Sequence, residues 1–155
     1  MVHLDKVTRA AITGTTLMTA FSYGVSHHQR KQFREPELLN KLLDRLPGDQ
    51  SISSNNPAGW LIHYGVGMLF TTAYDQLWQR NIGKPTLANG LLLGSISGLV
   101  GIGGWMLTLK LHPRPPKTDY TGHYKQLLIA HMIFGVGAVL GYTKKQFIHH
   151  ADRVL

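Results

Sequence analysis

Cysteine is missing from all 155 residues, which removes disulfides and thiolate metal sites and leaves the redox compartment open. Acidic residues are scarce too: eight Asp and Glu stand against 16 Lys and Arg, for a formal net charge of +8. A basic balance of this kind raises nucleic acid as a partner. Here, however, the basic residues sit in the connections between apolar stretches, and no basic stripe with interleaved aromatics occurs. Attraction to anionic lipid headgroups accounts for them more simply, and nucleic acid is not expected as a partner. Absent as well are a glycine-rich phosphate loop with its lysine, a nucleophile elbow and an HExxH pair. The sequence therefore reads as non-enzymatic.

Charge is also missing from long stretches, and this absence is the most informative. Four windows, Ala10 to Ser26, Pro57 to Tyr74, Thr86 to Leu109 and Gln126 to Tyr142, carry almost none. At 1.5 Å per residue, helices of that length match the hydrocarbon thickness of a bilayer. A buried helix of a soluble bundle usually keeps a polar stripe with helical period, and the window from Thr86 to Leu109 has no charged one. The expected architecture is all-α: an integral membrane four-helix bundle forming a single domain over 1–155, with spans at about 8–26, 57–77, 86–109 and 124–143.

The N-terminal stretch has a basic flank and a short apolar run, as a signal peptide would. It lacks a small-x-small cleavage site, and Thr13, Gly14, Thr15 and Thr16 dilute the apolar run, so a retained first span is expected. Its Thr, Ser and Gly content suits close packing on neighbouring helices rather than contact with lipid. Between spans one and two, Glu35, Pro36 and Glu37 make a helix start, with acidic groups at the positive dipole end. Leu38, Leu39, Leu42, Leu43 and Leu46 follow at helical spacing until Pro47-Gly48 stops the run. The spacing predicts a short interfacial amphipathic helix over about 35–46, leucines down, with Asn40 and Asp44 facing water.

Span three carries Gly90, Gly94 and Gly98 four residues apart, and Gly101 continues the face. Such a seam predicts tight helix packing in the bilayer. Trp60, Tyr74 and Trp78 are placed at the headgroup levels. The C-terminal tail from Tyr142, with Lys144 and Lys145, is read as a continuation of the last helix. Nine of the 16 Lys and Arg fall in the first and third connections, which slightly favours a cytoplasmic position for these.

Spans two and four share a further pattern. "HYGVGMLFTTAY" and "HMIFGVGAVLGY" align His63 with His131, Gly67 with Gly135 and Tyr74 with Tyr142 at one offset. The two spans run in the same direction, so both histidines are expected inside the bundle at equal depth, on one shared site. Eleven residues is close to three turns, so each tyrosine returns to its histidine's face and is expected to be a buried polar group. Three uses compete. The histidines hydrogen-bond across helices over glycine patches; or they ligate a b-type haem, with Gly67 and Gly135 giving the porphyrin clearance; or they titrate in a transport pathway. The first implies no cofactor, and haem b is the alternative. Asp75 lies about 120° round the helix from His63 and is a poor direct partner for it. His27, His28, His112, His123, His149 and His150 fall at or beyond the span boundaries, without a carboxylate at ligand spacing, and no metal site is expected.

The pattern of "GT..MT.FSY" in the first span, "GW..HYG.G" in the second and "AH..FG" in the fourth resembles small uncharacterised bacterial inner-membrane proteins with four spans. The resemblance implies a multi-pass location in the cell inner membrane and brings no activity with it. The expected function is a packing, accessory or assembly subunit of a larger membrane complex. Its partners would be the lipid bilayer and other membrane subunits, or further copies of itself. A haem-binding electron-transfer subunit using His63 and His131 is the alternative, and a small transporter or channel the third reading.

Overall fold

The computed structural model describes residues 2–48, 51–117 and 119–144. The tail beyond Lys144, with His149 and His150, lies outside the described residues. The protein is all-α, with five helices and no strand among the described residues. They are α1 (Leu4–Gln29), α2 (Glu35–Asp44), α3 (Pro57–Gln79), α4 (Leu87–Leu111) and α5 (Tyr120–Thr143).

Local chemistry sets their starts. Asn56 accepts a hydrogen bond from the Ala58 amide while Pro57 occupies the first helical position, where a missing N–H costs nothing. Thr86 caps α4 through the Asn89 amide, and Asp119 caps α5 through the Gly122 amide. α2 ends at Asp44, two residues before the expected stop, ahead of Pro47-Gly48.

α5 is the centre of the fold, with α1 packed along one side and α4 along another. α3 packs on α1, and α2 packs across α3. Contacts pair Gly14 with Gly137 and Ser22 with Gln126, so α1 and α5 are antiparallel. Gly90 meets Gly135 and Gly98 meets Leu128, so α4 and α5 are antiparallel too. α3 and α5 run parallel, with Phe70 on His131 and Trp78 on Tyr142. The apolar core gathers Met18, Tyr74, Trp78, Phe134 and Tyr142 with small residues of α1 and α5.

Among the described residues two helices, α4 and α5, are long and apolar enough to cross a membrane. The other two expected spans have the length, at 26 and 23 residues. They fall short in hydropathy, because α1 carries Asp5, Lys6 and Arg9 with many hydroxyls, and α3 carries Asp75 with several polar side chains. Four of those hydroxyls turn inward, with Thr15, Thr19, Ser22 and Ser26 buried, while Thr16 is exposed.

α2 departs from the surface helix expected of it. Leu38 and Leu42 are buried, as expected, but so is Asn40. Its amide donates to the carbonyls of Ser54 and Asn56 at 2.8 Å each, and its oxygen accepts from the Gly59 amide at 2.8 Å. The first turn of α3 has backbone N–H groups with no partner in the helix, and Asn40 satisfies one of them from outside. Gly59 is required at this crossing, because a Cβ there would strike the Pro36 carbonyl and the Asn40 side chain. Trp78, placed at a headgroup boundary by sequence, lies instead in the core, together with Tyr74, for which the sequence offered both the headgroup level and a buried place.

Candidate functional site

A cavity of about 310 Å³ opens between α3 and α4, floored by α5 and α1 and closed at one end by α2. Val66 and Val100 line it and are also exposed, which places a lateral mouth between the two helices. The wall is mainly apolar and includes Phe70, Trp105 and Phe134. Three ionisable side chains interrupt it: Glu35, His63 and His131, all buried.

Hydrogen bonds fix the form of each ring. Thr19 Oγ1 donates to the Thr15 carbonyl at 2.6 Å, which uses its only proton. The 2.9 Å contact between Thr19 Oγ1 and His63 Nε2 therefore has the imidazole as donor, and Nδ1 of His63 is left as a bare acceptor. His131 Nδ1 lies 2.9 Å from the Leu127 carbonyl and must donate to it, which leaves Nε2 bare. Neither bare nitrogen has a hydrogen bond among the described residues.

The two histidines share the cavity but not a depth. His131 packs edge-on against Phe70, seven residues after His63 along α3, with ring centroids 5.7 Å apart. The repeat in the sequence is thus not the register in which α3 and α5 pack. α1, wedged against both helices, and the glycine crossings set that register instead. Haem ligation would need both Nε2 atoms to face each other across a porphyrin. Here one is bonded to Thr19, and the other rests near Gly101, whose Cβ would lie 3.1 Å from it. The residues present do not fit a bis-histidine haem.

The glycines assigned to haem clearance have other neighbours. Gly67 lines the cavity, and a Cβ there would meet Thr15 Oγ1. Gly135 lies at the α4–α5 crossing, where a Cβ would meet Gly94 backbone atoms at 2.8 Å. Gly90, Gly94, Gly98 and Gly101 all face α5, the first two against backbone and the last against the His131 ring. Tyr74 and Tyr142 are both buried; their hydroxyls lie 2.6 Å from Ser97 Oγ and 2.6 Å from Asp75 Oδ1.

No family model, curated protein or solved structure matches this chain. The site therefore rests on its own geometry.

Sequence reasoning read Glu35 as a helix-start charge and missed where it points. It is 2% exposed; Oε1 accepts from Ser22 Oγ at 3.1 Å, and Oε2 has no hydrogen-bond partner among the described residues. No lysine or arginine among the described residues pairs with it. Burial pushes its carboxyl up from 4.5 to about 7, against the opposing pull of its hydrogen bonds. The unfolded chain releases this proton near pH 4.5, while the folded chain holds it to about pH 7. The contribution of this one carboxyl to stability is therefore greatest below pH 4.5, falls as pH rises through that window and levels off above it, a loss of roughly 3 kcal/mol. Glu35→Gln is expected to melt higher than the parent at pH 8 and level with it at pH 4.5, read by thermal denaturation in detergent. A gap that does not change with pH would show that the carboxyl is not held protonated.

Asp75, weighed in the sequence only as a partner for His63, has other partners. It is fully buried and accepts from the His3 amide at 3.2 Å, from the Tyr142 hydroxyl and from Gln79 Nε2 at 2.5 Å, with His3 Nδ1 at 3.0 Å. A lone carboxylate in the last turns of an apolar helix draws attention to it, but no local pattern gives these partners. His123, assigned to a span boundary, is buried between Phe33 and Trp105, with no hydrogen-bond partner for either ring nitrogen among the described residues.

Proposed function

We propose that the chain is a multi-pass protein of the cell inner membrane, with α1, α3, α4 and α5 all crossing, and that it serves as a non-enzymatic accessory or assembly subunit of a larger membrane complex. The observation that carries this reading is the bare circumference of α4. Leu92, Ile96, Leu99, Val100 and Leu107 are exposed on it, and the helix packs extensively on α5 alone. An apolar surface of that extent suits lipid or a partner rather than water. α1 and α3 have the length to cross, and the polar side chains Thr15, Thr19 and Ser22 of α1 and His63, Thr71 and Asp75 of α3 are buried, where helices in lipid place them.

Partner contact, beyond lipid contact, is supported by the outward glycines. Gly103 on α4 and Gly65 on α3 meet nothing within 4 Å of where a Cβ would stand, so they serve no packing inside the chain. Flat positions on a lipid-facing helix allow another helix to approach closely.

In membranes washed at alkaline pH the protein is expected to stay in the pellet. In mild detergent it is expected to migrate in a species larger than the monomer, and Gly103→Leu to return it to monomer size. Release by the alkaline wash, or a monomer as the sole species before mutation, would sink the proposal.

A further inference from the structure

We propose that the cavity between α3 and α4 binds a lipophilic amine, with the protonated nitrogen held at the Glu35 carboxylate and a compact apolar body against Phe70, Trp105 and Phe134. Four observations converge on that class. Glu35 is buried, lines the cavity, and has Oε2 without a partner. A buried acid without a cation either stays neutral or meets one supplied from outside.

The other two ionisable groups on the wall, His63 Nδ1 and His131 Nε2, are acceptors whose ring protons are committed to Thr19 and Leu127. The wall therefore asks its ligand to bring hydrogen-bond donors, as an ammonium does. Aromatic rings on the same wall add the surface that a cation with an apolar body favours. Finally, Val66 and Val100 place the mouth on the apolar flank, so a ligand that partitions into lipid reaches it laterally.

The volume limits the ligand's size. About 310 Å³ admits one small cage or ring system, and not a long-chain lipid. The titratable groups near Glu35 are Tyr23 on α1, which feels its charge, and His63 on α3 and His131 on α5, which share the cavity wall; the adjacent Arg34 is paired with Glu37. The α4 residues that line the cavity contribute none. Since the Glu35 carboxyl titrates near 7, the affinity for an ammonium falls as pH drops below that value and is flat above it. Lateral entry rests on the membrane reading proposed above, whereas the cavity and its carboxylate do not depend on the accessory-subunit part of it; a chain that proved monomeric would leave them as they are.

The test uses the full chain in detergent with 1-aminoadamantane as probe and 1-adamantanol as its neutral counterpart, followed by calorimetry and Trp105 fluorescence. The amine is expected to bind at least tenfold more tightly than the alcohol at pH 8, and about tenfold more weakly at pH 6 than at pH 8. Glu35→Gln should remove the preference for the amine, while Asp119→Asn, an exposed carboxylate elsewhere, should keep it. The comparison of amine with alcohol on the parent protein stands even if Glu35→Gln folds poorly. Equal binding of amine and alcohol, no binding of either at millimolar concentration, or an undiminished preference in a folded Glu35→Gln protein would each overturn the proposal.

Discussion

Gly135→Leu is expected to abolish the packing of α4 on α5 and with it the folded protein. A Cβ at this position would stand 2.8 Å from both the Cα and the amide nitrogen of Gly94. These are backbone atoms of a helix, so no rotamer change relieves the clash, and the axes must separate. Separation would also remove the contacts of Gly90 with Val139 and of Gly98 with Leu128. The cost should reach or exceed the upper end of the ~1–3 kcal/mol usual for overpacking. In lipid there is no hydrophobic gain between helices to hold them together once close packing is lost. Gly103→Ala is the matching control, because nothing lies within 4 Å of its Cβ. Thermal denaturation in detergent should show no folded transition for Gly135→Leu and a parent-like transition for Gly103→Ala. A Gly135→Leu protein as stable as the parent would mean that the seam is not an interface.

Asp75→Ala should be the most damaging polar substitution. The carboxylate gathers the chain's N-terminal segment through His3, the end of α5 through Tyr142, and Gln79 of its own helix. Removing it leaves the buried Tyr142 hydroxyl without its acceptor and releases His3, half-exposed, from α3. The expected loss is on the order of 3 kcal/mol, mostly from the buried hydroxyl, since the exposed partner is screened by solvent. Asp75→Asn should fall between parent and alanine variant, because its oxygen still accepts from Tyr142 while its amide opposes the remaining donors. In the double variant Asp75→Ala/Tyr142→Phe much of the penalty should vanish, and the cycle measures the coupling. Strictly additive losses would show that the two groups do not interact.

The sequence by itself determined the helices and one of their interfaces. Pro57 after Asn56 and Thr86 open α3 and α4 within a residue of the expected starts, because capping is a matter of neighbours in the chain, whereas α5 begins at Tyr120, ahead of the expected 124. The charge-free run of α4 and its four-residue glycine spacing were legible for a similar reason, since one helix face is written in one stretch of residues. What only the tertiary structure decided depends on partners far apart in sequence. The matched His, Gly and Tyr of spans two and four imply equal depth, yet α1 and the glycine crossings set α3 and α5 in another register, and His131 packs on Phe70. Asn40 read as a water-facing residue until α3 presented an amide to it. Glu35 had the sequence of a helix start, but its side chain is carried into the cavity because α2 packs across α3. Asp75 meets His3 across 72 residues and Tyr142 across 67, and no local pattern encodes either pairing. Helix ends follow from local hydrogen-bonding rules, whereas the placement of buried polar groups follows from which helices come to lie side by side.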